Sequence, residues 1–268
     1  MPKQSNWRSH PRKASSRSQH RWASTKEPAA AAISVLHQDV DRLLRPRSEG
    51  VRAALSILVA SRERMDTERT RNRNALTALL RSVDLGIDAR LALSDRQVKQ
   101  VSGWRERPGD TVEQHHARAE AVRLARAVLA ASQELKRNKS AMADLDEQIA
   151  PMLRTQFGLG PVTVAWILIA YSHPGRIHSE AAFASLAGVA PLQASSGNTT
   201  RHRLNLYGDR LLNKALDVIA KTRMRDDPAT KLYVEKRTAE GLNYREIKRI
   251  LKRYIARNIF RQLQILMA

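Results

Sequence analysis

The chain has no cysteine, only 4% aromatic residues, and 26 Asp and Glu against 47 Lys and Arg in 268 residues. Each shortage excludes something. Without thiols there are no disulfides and no thiolate-held metal, and the composition fits a reducing, cytoplasmic setting. No apolar run approaches the roughly 20 residues of a spanning helix, so a membrane is not expected as a partner. The basic N-terminus leads into a polar Ser/Arg stretch instead of an apolar core, so no secretory signal is expected. Convincing period-two alternation is scarce, which leaves little room for sheet.

What is abundant is positive charge. A formal net charge of +21 opposes compaction by self-repulsion and favours a polyanionic partner. Nucleic acid is the first candidate, because every neutralised phosphate releases counterions. The length suffices for one large or two small domains with a real core. The expected location is therefore the cytoplasm, in association with the nucleoid.

The pattern predicts a mainly α chain in three regions. Residues 1–32 read as a disordered basic tail, rich in Ser, Arg and His, with Trp7 and Trp22 as its aromatics. Residues 33–150 read as a linker and a helical or coiled-coil arm. Within it, Val51, Leu55, Leu58, Val59, Met65, Leu76 and Leu79 recur at helical spacing, with Arg62, Arg64, Arg69, Arg71 and Arg73 on the expected exposed face. A short helix is expected from Asp95 to Trp104, and a turn at Pro108-Gly109. From Thr111 to Ile149 a long helix carries the stripe Leu124, Val128, Leu135, Met142, Leu145 and Ile149, suited to an antiparallel hairpin and to homo-oligomerisation through the arm. Asp144, Asp146 and Glu147 on it read as solvated. Residues 151–268 read as a compact helical domain. Ser179 serves as an N-cap there, one helix spans Tyr207 to Arg225, another starts at Asp227-Pro228 and ends at Gly241, and a basic helix runs from Tyr244. Ile247, Ile250, Leu251, Ile255, Ile259 and Leu263 point inward on that last helix, and Arg245, Lys248, Arg249, Lys252, Arg253 and Arg257 outward.

Two segments carry chemistry. Phe157-Gly158-Leu159-Gly160-Pro161, running into Val162-Thr163, has the pattern of a helix-hairpin-helix. Its glycines let the backbone approach a phosphate, and the first N–H groups of the next helix point at it. Gly158, Gly160, Val162 and Thr163 are thus candidate nucleic-acid contacts, joined by Arg249, Lys252 and Arg253. The plain alternative is a helix–helix turn in a packed core. The second segment, Ser195-Ser196-Gly197-Asn198-Thr199-Thr200-Arg201-His202-Arg203, sets a small hydroxyl on a glycine turn beside two guanidinium forks. Such a set can position and neutralise a phosphodiester. The plain alternative is an ordinary polar turn. Tyr207, following Arg201-His202-Arg203, is a minor candidate on the pattern of tyrosine recombinases, at much tighter spacing. The histidines form no metal-ligand spacing, and no carboxylate constellation suits a two-metal site.

Gly158 through Thr163, Phe183-Ala184-Ser185-Leu186-Ala187-Gly188-Val189-Ala190-Pro191, Ser195 through Thr199 and Gly208 through Leu216 occur in an order that resembles the C-terminal half of an insertion-sequence transposase family. This is the family related to the Piv DNA invertase, also called bridge recombinases, and the likeness covers roughly residues 35 to 265. The resemblance implies site-specific DNA cleavage and rejoining by a serine nucleophile, carried over to Ser196 with Ser195 as the fallback, and with Arg201 and Arg203 steadying the phosphate. It also implies a guide RNA, a multimer, and an N-terminal RuvC-like domain whose Asp-Glu-Asp-Asp set binds magnesium. Residues 1–30 hold Glu27 as their one acid. The chain is therefore expected to be truncated, frameshifted or mis-started, with no metal site of its own, no cofactor on this chain and no activity alone. The alternative is a non-catalytic nucleic-acid-binding protein derived from such an enzyme.

Overall fold

The computed structural model of the protein describes residues 49–193, 202–203 and 208–267, without the side chains of 192, 193, 202 and 203. The expected tail at 1–32 and the start of the linker lie outside the described residues. Those described contain eight α-helices, a 3-10 turn and two strands of two residues each. The mainly α architecture follows the pattern.

Helices α1 (Val51–Ser82) and α3 (Val112–Ile149) form an antiparallel pair. Leu55 and Val59 near the start of α1 share a core with Met142 near the end of α3. Leu76 and Leu80 near the end of α1 pack with Ala117, Ala121 and Leu124 near the start of α3. Polar ties fix the register between these clusters. Arg62 donates to Leu135 O at 3.0 Å, and Asn138 Nδ2 donates to Leu58 O at 3.0 Å. The apolar stripe of α3, which suggested an oligomer, is thus covered by α1 of the same chain.

Between them α2 (Asp95–Ser102) buries Val98 and Val101 in the distal core, and Ser94 and Gln97 form a capping box at its start. Arg118 and Asp110 make an almost fully buried ion pair at 2.5 Å, and Arg118 also lies over the Trp104 ring at 5.1 Å. This anchors the Pro108-Gly109 turn to the arm. Arginines of this arm serve the arm itself, Arg62 and Arg73 of the expected basic face among them. Arg73 donates to Leu93 O, and Arg81 donates to Ala89 O and Arg90 O.

Helix α4 (Pro161–Tyr171) is buried from Thr163 through Tyr171. A helix apolar on every side is a core helix. It packs against both long arm helices and α6 (Arg210–Asp226), and α5 (Glu180–Leu186), α7 (Pro228–Ala239) and α8 (Tyr244–Leu266) complete the region. Local chemistry fixes their starts. Ser179 accepts from Ala182 N, Asp209 from Leu212 N, Asp227 from Thr230 N ahead of Pro228, and Asn243 with Glu246 forms a capping box. Helix α6 begins at Arg210, three residues after the Tyr207 expected from sequence, because Asp209 supplies the cap. Leu55, Val59, Met142 and Ala150 of the arm lie in the same core as α4, α6 and α8. The described arm and C-terminal region belong to one compact unit, Pro46–Ala268.

Candidate nucleic-acid interface

After α3 the chain passes Met152, left-handed at φ 65°, into the 3-10 turn Leu153–Thr155. It then turns at Gly158, where φ is 83°. An L side chain there would be strained, and its Cβ would lie 3.3 Å from Ile219 Cγ2 and 3.4 Å from Ile219 O. The fold itself requires Gly158. Gly160 is different: its φ is −89° and a Cβ would meet nothing within 4 Å. Arg223 Nε donates to Phe157 O at 2.9 Å, and Asn258 Nδ2 to Gln156 Oε1 at 3.1 Å, so α6 and α8 hold the turn. Gly160 is the N-cap of α4 and no side chain caps the helix. The N–H groups of Val162 and Thr163 therefore have no intrahelical acceptor, while the Thr163 hydroxyl donates back to Gly160 O at 2.8 Å.

This turn lines an open cleft of about 580 Å³ whose other walls include Arg62 of α1, Lys139 of α3 and Arg154 of the 3-10 turn. The cleft combines three cationic side chains with the N-terminus of α4. Both the fixed charges and the helix dipole favour an anion there. Arg154 pairs with Glu147 at 3.0 Å, Arg62 is tied to the arm, and Lys139 is exposed. Sequence reasoning reached Gly158, Gly160, Val162 and Thr163 and missed these three cations.

Within electrostatic reach of Arg154 lies a residue assigned wrongly from sequence. Asp146 was expected to be solvated, yet it is fully buried and neither carboxylate oxygen has a hydrogen-bond partner. It sits on the inward stripe, four residues after buried Met142. Burial pushes its pKa up to about 7, against the opposing pull of Arg154. A carboxyl whose pKa is raised on folding stabilises the fold below its unfolded value near 4 and loses that contribution as pH rises through about 7. The protein is expected to lose about 2–3 kcal/mol of stability between pH 5 and pH 8 from this group. Asp146→Asn removes that part of the pH dependence. Urea titrations of both proteins at the two pH values check it, and equal slopes for both would count against a buried acid.

The serine segment is held at its base. Helix α5 ends with Gly188 at φ 67°, and Val189 N and Ala190 N both donate to Ala184 O. Strands β1 (Leu192–Gln193) and β2 (His202–Arg203) pair antiparallel, Leu192 with Arg203 and Gln193 with His202. Beyond them the chain returns at Gly208, which presses on Gly188. Asp209 N donates to Leu186 O at 2.6 Å, and Asn213 Nδ2 to Ala187 O at 2.7 Å. Ser195, Ser196, Arg201 and Tyr207 lie outside the described residues, as does the side chain of Arg203.

The three basic residues chosen on the last helix meet beside this base. Arg249, Lys252 and Arg253 line a cavity of about 350 Å³ with Gly188 through Pro191, Ile250, Tyr254 and Arg257. Two assignments change. Lys252, expected on the outer face, is buried: its Nζ donates to Asn213 Oδ1 at 2.8 Å and lies 3.9 Å from Asp217. It falls four residues before buried Ala256, so it occupies the inward stripe and ties α8 to α6. Ile250, expected inward, is half-buried and lines the cavity instead.

Residues 150–235 match the sequence profile of the transposase IS116/IS110/IS902 family. The matched segment begins at the end of α3 and takes in the glycine turn, α4, the serine segment and most of α7. No curated protein sequence matches the chain. Among the described residues, no helix is long and apolar enough to cross a membrane.

Proposed function

We propose that this chain is the DNA-engaging, serine-bearing part of an insertion-sequence transposase of the serine-recombinase kind. One observation carries the reading. The segment that matches the transposase family contains both the glycine turn of a cationic cleft and the serine hairpin. The cleft takes the DNA backbone: α4's first N–H groups and Lys139 contact phosphates, with Arg62 and Arg154 adding field. Such contacts position a duplex without reading its sequence. Ser196 is the nucleophile, with Ser195 as the fallback. Its Oγ forms a bond to phosphorus as the bond to the leaving strand breaks, and that strand departs as a hydroxyl after taking a proton. Arg201 and Arg203 steady the phosphoryl oxygens. The covalent serine–phosphate ester keeps the strand ready for rejoining.

The magnesium that the sequence resemblance attaches to a RuvC-like domain does not fit the described residues. They contain no group of three or more His, Asp or Glu able to hold a metal ion. Several of their carboxylates are engaged in ion pairs, Asp217 with Lys221 and Lys248, Glu180 with Arg257 and Arg261, Asp110 with Arg118. No step is routed through a metal on this part of the chain, and strand cleavage calls for carboxylates from a RuvC-like domain. The same engagement of the acids favours a second reading, a nucleic-acid binder that does no chemistry. A guide RNA and a multimer belong with the first reading.

Fluorescence anisotropy with a labelled duplex over a salt series tests the shared core of both readings. Binding is expected to weaken steeply with salt. Lys139→Ala is expected to weaken it uniformly across sequences and to reduce the log–log salt slope by about one. An unchanged slope would remove the cleft from the DNA path.

A further inference from the structure

We propose that the cavity between α8 and the Gly188–Pro191 segment is a pocket for a single unstacked nucleotide of a bound strand. This rests on the DNA-binding reading above and assigns a second, different task to a set of residues that the cleft does not share. The cavity's size is the first argument. At about 350 Å³ it lies at the small end of the roughly 300–1,000 Å³ range of small-ligand pockets, and a duplex with a major groove about 12 Å wide cannot enter it.

Its two-sided chemistry is the second argument. Val189, Ala190, Pro191 and Ile250 give an apolar floor, whereas Arg249, Arg253 and Arg257 stand around it. A bare phosphate would need no apolar floor, and an apolar ligand would need no guanidinium cluster. A nucleotide uses both, its base on the floor and its phosphate on the arginines. Tyr254 is half-exposed beside the cavity, with Arg257 Cζ 5.9 Å from its ring centroid, and offers a face on which a base can stack.

The third argument is an unmet donor. Arg253 Nη1 is buried without a hydrogen-bond partner. Lys252 beside it is answered by Asn213 and Asp217, and Arg257 by Glu180. A buried guanidinium nitrogen left without an acceptor is costly, and a phosphate oxygen would supply one. The position completes the case, since Pro191 directly precedes the strand that opens the serine hairpin. A nucleotide extruded into this pocket would leave the duplex locally unpaired next to that hairpin. An unpaired base enters such a pocket most readily, because its unstacking is already paid.

Two otherwise identical duplexes test this with the full-length chain, one with a central unpaired 5-iodouridine and one with that base paired. Ultraviolet irradiation followed by peptide mapping is expected to place a cross-link on the α8 peptide containing Tyr254, with the unpaired probe only. Anisotropy is expected to show the unpaired duplex bound about tenfold tighter than the paired one. Tyr254→Leu is expected to erase that preference while paired-duplex affinity stays within about twofold, and Arg253→Gln is expected to erase it with paired-duplex affinity also reduced. Equal binding of the two duplexes, or cross-links confined to the arm and the glycine turn, overturns the pocket and leaves the DNA reading standing. Binding of neither duplex removes both. Free thymidine monophosphate is the third arm: displacement of the unpaired duplex at micromolar concentration would assign the pocket to a free nucleotide and overturn its assignment to a strand.

Discussion

Gly208→Ala is expected to destabilise the protein by on the order of 3 kcal/mol or more, although it adds one methyl group to a half-buried position. A Cβ on Gly208 would lie 2.6 Å from Gly188 N and 2.8 Å from both Gly188 Cα and Leu186 O. All three are backbone atoms, so no flexible side chain can yield. Relief requires the chain to move apart where Asp209 N reaches Leu186 O and where Asn213 reaches Ala187 O. Those bonds start α6 and close the base of the serine hairpin, so the strain spreads to both. With about 2–4 °C per kcal/mol for a unit of this size, the melting temperature should fall by roughly 6–12 °C. Gly160→Ala is the matched control, because its Cβ would meet open space, and only a small loss of N-cap preference is expected. Calorimetry on the two variants decides the matter. Equal melting points would mean that the Gly188–Gly208 contact does not hold the hairpin base.

The elements that were legible in the sequence are those fixed by chemistry within four residues. Ser179, Asp227-Pro228 and Gly241 mark helix ends because a cap is a bond between near neighbours, and each stands where it was read. The start of α6 was misplaced because Tyr207 was given weight that belonged to Asp209, which accepts from Leu212 N. What the sequence hid depends on distant partners. Arg62 and Lys139 reach the glycine turn only because α1 and α3 pair antiparallel, an arrangement joining residues more than 70 apart in sequence. Asp146 and Lys252 were misread for a different reason. Both lie on the inward stripe of their helices by spacing alone, but residue type was allowed to outweigh position. Periodicity was the better guide there, and the cost of burying each charge is met differently. Lys252 has Asn213 and Asp217 beside it, whereas burial pushes Asp146 toward its neutral form. For the serine segment, sequence order supplied the candidates, and the described backbone supplies only the paired strands on either side.

Ser196→Ala is expected to abolish covalent attachment of the protein to DNA, by at least about a thousandfold, while duplex affinity stays unchanged. Affinity and attachment belong to different residues in the proposed reading. In that reading affinity comes from phosphate contacts at the cleft, where Lys139 and the start of α4 lie. Attachment needs an oxygen that can bond to phosphorus, and replacing Ser196 removes that atom while altering none of the residues that line the cleft. The assay is a denaturing gel of a reaction containing radiolabelled nicked DNA and magnesium, run with and without an added RuvC-like domain. Ser195→Ala should retain the adduct, since the family resemblance carries the nucleophile to the serine that adjoins Gly197. Tyr207→Phe should retain it as well. If the adduct instead survives Ser196→Ala and disappears with Tyr207→Phe, the bond to phosphorus is a tyrosyl one and the serine assignment falls. If no variant, nor the unaltered chain, ever forms an adduct while all bind DNA with a steep salt dependence, the chain is a nucleic-acid binder. The hairpin held between Leu192 and Arg203 then has a positioning role and no chemistry of its own.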